Sequence, residues 1–203
     1  ALMQLPFKFI WSHDAFRVGE DGPTHEPVEQ EAQIRLMEKL KNHSGKNSVL
    51  VLRPADVEET TQCWQMAMEN NDTPTALILS RQSIENLPET NDYSQARYGA
   101  YIVGGSDENP DVILVGNGSE TSTLCAGAKL LRQESIKVRV VCVPSEGLFR
   151  TQTTEYQQKI IPTGSKVFGL TAGLPVNLQG FLLGAAPESK IWGLESFGFS
   201  APY

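Results

Sequence analysis

Five short apolar runs, spaced by helix-length or loop-length intervals, restrict this chain to few folds. Pro6–Trp11, Ser48–Leu52 and Thr75–Ser80 lie in the first half, Asp111–Val115 and Val138–Val143 in the second. Runs of this length, rich in β-branched and aromatic residues, read as buried strands. The intervals carry helix signals. Pro27 opens a helix, with Glu26 and Glu29 at its positive end and Ile34, Met37 and Leu40 as its apolar stripe, and Asn42-His43-Ser44-Gly45 ends it. Asp56 and Glu59 have capping-box spacing before a second helix with Trp64, Met66 and Met68, and a third strand then delivers Arg81 at its C-terminal end. Strand, helix, strand, helix, strand requires right-handed crossovers and a parallel sheet.

From Gln82 to Asn109 the pattern weakens into loop punctuation around Tyr101-Ile102-Val103, an interdomain linker with room for an edge strand. A second series follows: the strand Asp111–Val115, a helix over Glu120–Gln133, the strand Val138–Val143, a helix over Thr154–Ile160, and strands at Lys166–Leu170 and Ile191–Leu194. The expectation is an α/β chain of two units, residues 1–92 and 110–203, with residues 93–109 between them. Lys39–Asn47 reads as a surface loop.

A formal charge of −7 with no Lys/Arg cluster argues against nucleic acid or a membrane surface as partner. Cys63, Cys125 and Cys142 are far apart in apolar surroundings, so buried thiols in a reducing compartment are expected. No apolar run is long enough for a membrane span and no signal-peptide pattern opens the chain, so a cytoplasmic location is expected. Ala1-Leu2-Met3 reads like the last turn of a helix and Ser200–Tyr203 follows directly on a strand-like segment, so both ends read as those of a fragment.

The chemistry concentrates in the loop His13–Gln30, where two histidines, two glycines, two prolines and several acids follow a strand end, the place where open α/β sheets put ligands. His13 and His25, with Asp21 between them, suit metal ligation, acid/base work or hydrogen-bonded clamping. Neither i, i+4 spacing nor a nearby Cys pair favours metal. Arg81 would share the sheet end with this loop, where a guanidinium suits phosphate or carboxylate, or an ion pair with a nearby Glu. Gly116-Asn117-Gly118-Ser119-Glu120 resembles the start of a dinucleotide fingerprint, but Thr121 stands where its third glycine belongs, so a tight strand-to-helix turn with Ser119 as helix cap is the better reading.

The string HDAFRVGEDGPTHEPVEQ resembles the transketolase signature, and LRPAD at Leu52–Asp56 and DTPTALILSRQ at Asp72–Gln82 follow in the family's order. PDVILVGNGSE, IKVRVVCVPSEGLF and the closing GLESFGFSAP extend the likeness through the second half. The resemblance implies the latter part of a thiamine-diphosphate pyrimidine-binding domain, then a three-layer α/β/α transketolase C-terminal domain. It implies ketol transfer from a ketose phosphate to an aldose phosphate. His25 would lie beside the thiazolium as a catalytic and substrate-binding group, Asp21 would accept from a sugar hydroxyl, and His13 and Arg81 would hold the sugar phosphate. Ala15, Phe16 and Arg17 replace the family's usual Ser-Ile-Gly, and Arg17 could add to phosphate binding or point to solvent. Lys39–Asn47 is longer than the common family version.

The family's metal–diphosphate site uses a GDG motif followed downstream by Asn, which this sequence lacks. The activating glutamate and the aromatic residues that stack on the cofactor are expected upstream of Ala1. The reading is therefore of a fragment inactive by itself, with thiamine diphosphate and Mg (or Ca) belonging to the full-length enzyme and none bound to this piece. Homodimerisation is implied by the family, and self-association is expected through the sheet edge before Pro6 or its apolar face. Two rivals stand beside this: a non-catalytic assembly or regulatory module, and a variant thiamine-diphosphate ketol transferase of dihydroxyacetone synthase or deoxyxylulose-phosphate synthase type.

Overall fold

The fold comes from a computed structural model that describes residues 1–14 and 22–199. Two sheets organise it. The first contains β1 (Lys8–Trp11), β2 (Leu50–Leu52) and β3 (Thr75–Ile78), all parallel in the order β1-β3-β2. Helices α1 (Gln30–Glu38) and α2 (Val57–Glu69) lie on the crossovers. The second sheet contains β4 (Tyr101–Ile102), β5 (Val112–Gly116), β6 (Val138–Cys142), β7 (Val167–Leu170) and β8 (Lys190–Trp192) in the order β4-β6-β5-β7-β8. Its strands are parallel except β4, the edge strand for which the segment Tyr101–Val103 had room.

The second unit is a three-layer sandwich because its strands alternate apolar residues to both faces. Leu114, Val140 and Cys142 face Leu124 and Ala128 of α3 (Glu120–Gln133), while Ile113, Val115 and Val141 face Ile160 of α5 (Thr154–Ile160), Leu178 and Phe181. The short α4 (Glu146–Phe149), its first turn capped by the Ser145 hydroxyl, was not foreseen from the sequence.

Several expectations need correction. β1 is an edge strand and not a buried one: Phe7 and Phe9 are 60% and 49% exposed, and Phe7, Phe9 and Trp11 form a ladder of ring contacts on one face. α1 begins at Gln30, three residues after Pro27, and its buried face is polar. Glu31, Arg35 and Glu38 point inward, whereas Leu36, Met37 and Leu40 are exposed and Ile34 alone of the expected stripe packs against a core. The inversion follows from what α1 packs against, a charged seam between the two units.

Asp56 caps α2 through the Glu59 N–H (2.9 Å), but the returning Glu59 carboxylate accepts from Ala55 N–H (2.6 Å) and not from the Asp56 N–H of a standard capping box. The Ser119 side chain does not cap α3; its hydroxyl donates to Glu120 Oε1 (2.7 Å). Cys63 and Cys142 are buried as expected, while Cys125 is half-buried.

Candidate functional site

The C-terminal ends of both sheets meet. In the first sheet the register pairs Trp11 with Ile78 and Leu52 with Leu77, so the residues that follow the three strands leave from one end. These are Ser12-His13-Asp14, Arg53, and Leu79-Ser80-Arg81. Adjacent parallel strands thus bring His13 and Arg81 to the same sheet end, and a Leu79 N–H to Trp11 carbonyl bond (2.7 Å) carries the pairing beyond the ladder. Both side chains are exposed. His13 Nδ1 lies 2.9 Å from the Ser12 hydroxyl.

His25 ends a short 3-10 helix, Pro23–His25, and is also exposed, with Nδ1 3.0 Å from the Thr24 hydroxyl. That helix starts from Gly22, whose φ of 81° is a backbone conformation that L side chains rarely adopt. Asp21, together with Ala15, Phe16 and Arg17, lies outside the described residues. Beneath the strand ends a cavity of about 30 Å³ is lined by Trp11, His13, Asp14, Glu31, Ile78 and Gly173, among others. Its wall includes residues of both units.

Behind these exposed side chains sits a group that sequence reasoning missed. Arg53 of the LRPAD string is 0% exposed. Its Nη2 lies 2.8 Å from Asp14 Oδ2 and 2.7 Å from Glu120 Oε2, and Nη1 donates to the carbonyl (3.1 Å) and side-chain oxygen (2.8 Å) of Asn117. Glu31 Oε2 stands 3.8 Å from Nε, and Glu31 Oε1 accepts from Arg35 and Asn117. Burial alone would push the Arg53 pKa down, but the carboxylates of Glu120, Glu31 and Asp14 outweigh it and hold the guanidinium above its ordinary value. A charge this deep is tolerated because it is paired and hydrogen-bonded. The sequence signal was faint, since the partners are scattered over positions 14, 31, 117 and 120.

The Transketolase, pyrimidine binding domain model matches residues 1–86, and the Transketolase-like TK C-terminal domain model matches residues 99–203. The chain belongs to the transketolase family. It is 38% identical over its whole length to a transketolase of Halalkalibacterium halodurans, covering 29% of that protein. Among solved structures, transketolase from Leishmania mexicana matches with a TM-score of 0.80 and 34% identity over 95% of this chain and 26% of its own. A Pichia stipitis transketolase solved in complex with sedoheptulose 7-phosphate matches with a TM-score of 0.82 and 30% identity over 98% of this chain and 27% of its own. The chain thus spans under a third of the length of these transketolases.

Transketolases use thiamine diphosphate, and the residues described here fit only part of that requirement. The exposed imidazole of His13 and guanidinium of Arg81 at one sheet end suit an anionic ligand. A metal-bridged diphosphate needs clustered oxygen ligands. Among the described residues no group of three or more His, Cys, Asp or Glu side chains is arranged to hold a metal ion. Nor is any described helix long and apolar enough to cross a membrane.

Proposed function

We propose that this chain forms the sugar-phosphate-recognising wall of a thiamine-diphosphate-dependent transketolase. The observation that carries the reading is the placement of His13 and Arg81 at the ends of neighbouring parallel strands, within a chain collinear with transketolases throughout. Arg81 supplies a forked cationic donor for the phosphate and His13 a second donor beside it. Asp21 accepts from a sugar hydroxyl. His25, at the end of its 3-10 turn, is the catalytic group that contacts substrate hydroxyls beside the thiazolium. The cofactor when bound supplies carbanion-stabilising chemistry; the residues of this chain bind the sugar and fix its orientation. Magnesium, like the diphosphate, is assigned to polypeptide other than the described residues.

The same reading divides the chain into residues 1–92, 93–109 and 110–203. It places the protein in the cytoplasm, in the pentose phosphate pathway, as part of a homodimer.

Titration calorimetry tests the wall directly. Ribose 5-phosphate binds the chain while ribose does not, and Arg81→Ala or His13→Ala weakens binding at least about tenfold. Equal binding of ribose and its phosphate refutes the assignment. By itself the chain transfers no ketol unit: sedoheptulose 7-phosphate appearing from xylulose 5-phosphate and ribose 5-phosphate, with thiamine diphosphate and magnesium added, contradicts that expectation.

A further inference from the structure

The turn Gly116–Glu120, unexplained as a dinucleotide motif, has its partner in Arg53. At Gly118 the backbone φ is +58°, and a Cβ there would stand 2.5 Å from Arg53 Cζ. Asn117 accepts from Arg53 through both of its oxygens, and Glu120 closes the ring with its carboxylate. The Glu120 carboxylate is itself anchored by the Ser119 hydroxyl and by the Ala172 N–H at 3.2 Å. Even the backbones interlock, with Arg53 N–H donating to the Pro144 carbonyl (2.8 Å) and Gly118 N–H to the Arg53 carbonyl (3.3 Å). At Gly116 a Cβ would stand 2.8 Å from Leu124 Cδ1, so no nucleotide is needed to account for the two glycines.

The same Nη2 that pairs with Glu120 also holds Asp14 Oδ2. That same oxygen accepts from the Ser80 hydroxyl at 2.6 Å. Asp14 adjoins His13, and Ser80 adjoins Arg81. One carboxylate oxygen therefore ties together the neighbours of both residues assigned to the sugar phosphate, and Arg53 ties that oxygen to the second unit.

We propose that the second unit acts as a brace for sugar recognition: the Asn117–Glu120 turn cradles Arg53, which sets the position of Asp14 and hence of His13 and Arg81. Arg53, Asn117 and Glu120 are positioning residues, touching no substrate themselves. The assignment rests on the reading of His13 and Arg81 as phosphate ligands. Small displacements of such ligands cost affinity steeply, and partners that orient ligands matter almost as much as the ligands.

Hydrogen exchange and ribose 5-phosphate titration on the same chain test the brace. Glu120→Gln keeps the shape of the side chain and removes its charge. It is expected to speed amide exchange about tenfold in peptides spanning Trp11–Asp14 and Leu79–Arg81, and to leave β6 at the wild-type rate. Ribose 5-phosphate binding weakens by about tenfold alongside. Arg53→Lys is expected to move both readouts in the same direction, because an ammonium cannot bridge Asp14, Glu120 and Asn117 together. Exchange that rises evenly through both sheets, or that stays at the wild-type rate at Trp11–Asp14, overturns the proposal by reducing Arg53 to a stabilising contact. Wild-type chain that fails to bind ribose 5-phosphate refutes the sugar-wall reading, while the exchange measurement still decides whether the brace exists.

Discussion

Glu59 shows how one residue can register pH for the whole protein. It lies fully buried at the start of α2, and burial pushes its carboxyl up to about 7, against hydrogen bonds from Tyr101, the Ala55 N–H and the Cys142 thiol that favour the charged form. Its folded pKa thus exceeds the ordinary value of 4.5, so between these values the folded state holds more protons than the unfolded. Stability from this group is full below about pH 4.5, falls as pH rises towards 7, and levels off above, a loss of roughly 3 kcal/mol. Urea denaturation from pH 4.5 to 8 should show that decline, and Glu59→Gln should flatten it; an unchanged slope in the variant assigns the dependence elsewhere. Arg53 gives a larger effect. Arg53→Ala leaves Asp14, Glu31 and Glu120 buried without their shared cation and should cost about 3–5 kcal/mol in the same measurement. Of these two residues, Glu59 was legible in the sequence as a helix-start acid, though not with its observed partner. Arg53 was only part of a loop string, because nothing local marks an arginine whose carboxylates arrive from three other segments.

At the scale of elements, periodicity located the principal strands and longer helices but misjudged which faces are covered. The short 3-10 turns at Tyr93–Tyr98, Pro175–Asn177 and Gln179–Leu182 also escaped notice, having too few residues to show a period. An aromatic, β-branched run is the same string whether it forms a central or an edge strand, so the exposure of β1 could not be read from its residues. Likewise α1 was assigned an apolar stripe by the usual rule, whereas charged residues form its buried face because the seam supplies their partners. The β1 edge has a consequence of its own. A row of backbone groups unpaired within the sheet among the described residues, beside the exposed ladder Phe7-Phe9-Trp11, invites pairing with another chain. Light scattering should find concentration-dependent association, reduced by Phe9→Lys; a strict monomer at high concentration removes β1 as an interface.

For the whole molecule, the two units have separate sheets but share buried structure. Ala55 and Leu87, from the first part of the chain, pack into the core around Leu114 and Val140, and Asn47 donates to the Gly147 carbonyl at 3.1 Å. Such a seam should make unfolding a single cooperative transition. Calorimetry should show one peak in the wild-type chain and two in Arg53→Ala; a wild-type profile already split would mean that the units melt independently. The plan of two α/β sheets was visible in the strand spacing, as was the arrival of Arg81 at the sheet end where β1 finishes. The charged joint between the units was not, since pairing across it obeys no local period.

That joint also has a timetable. Arg53 and Asn117 are 64 positions apart in sequence, and Glu120 is made later still. Contacts of such separation carry the loop-closure entropy of everything between them. During synthesis, the ends of β1, β2 and β3 emerge well before the turn that cradles Arg53. Until that turn arrives, Arg53 lacks Asn117 and Glu120 among its partners. The arrangement of His13 and Arg81 is therefore completed by a segment made long after both of them, and a chain halted before Asn117 would carry both residues without the brace that sets their positions.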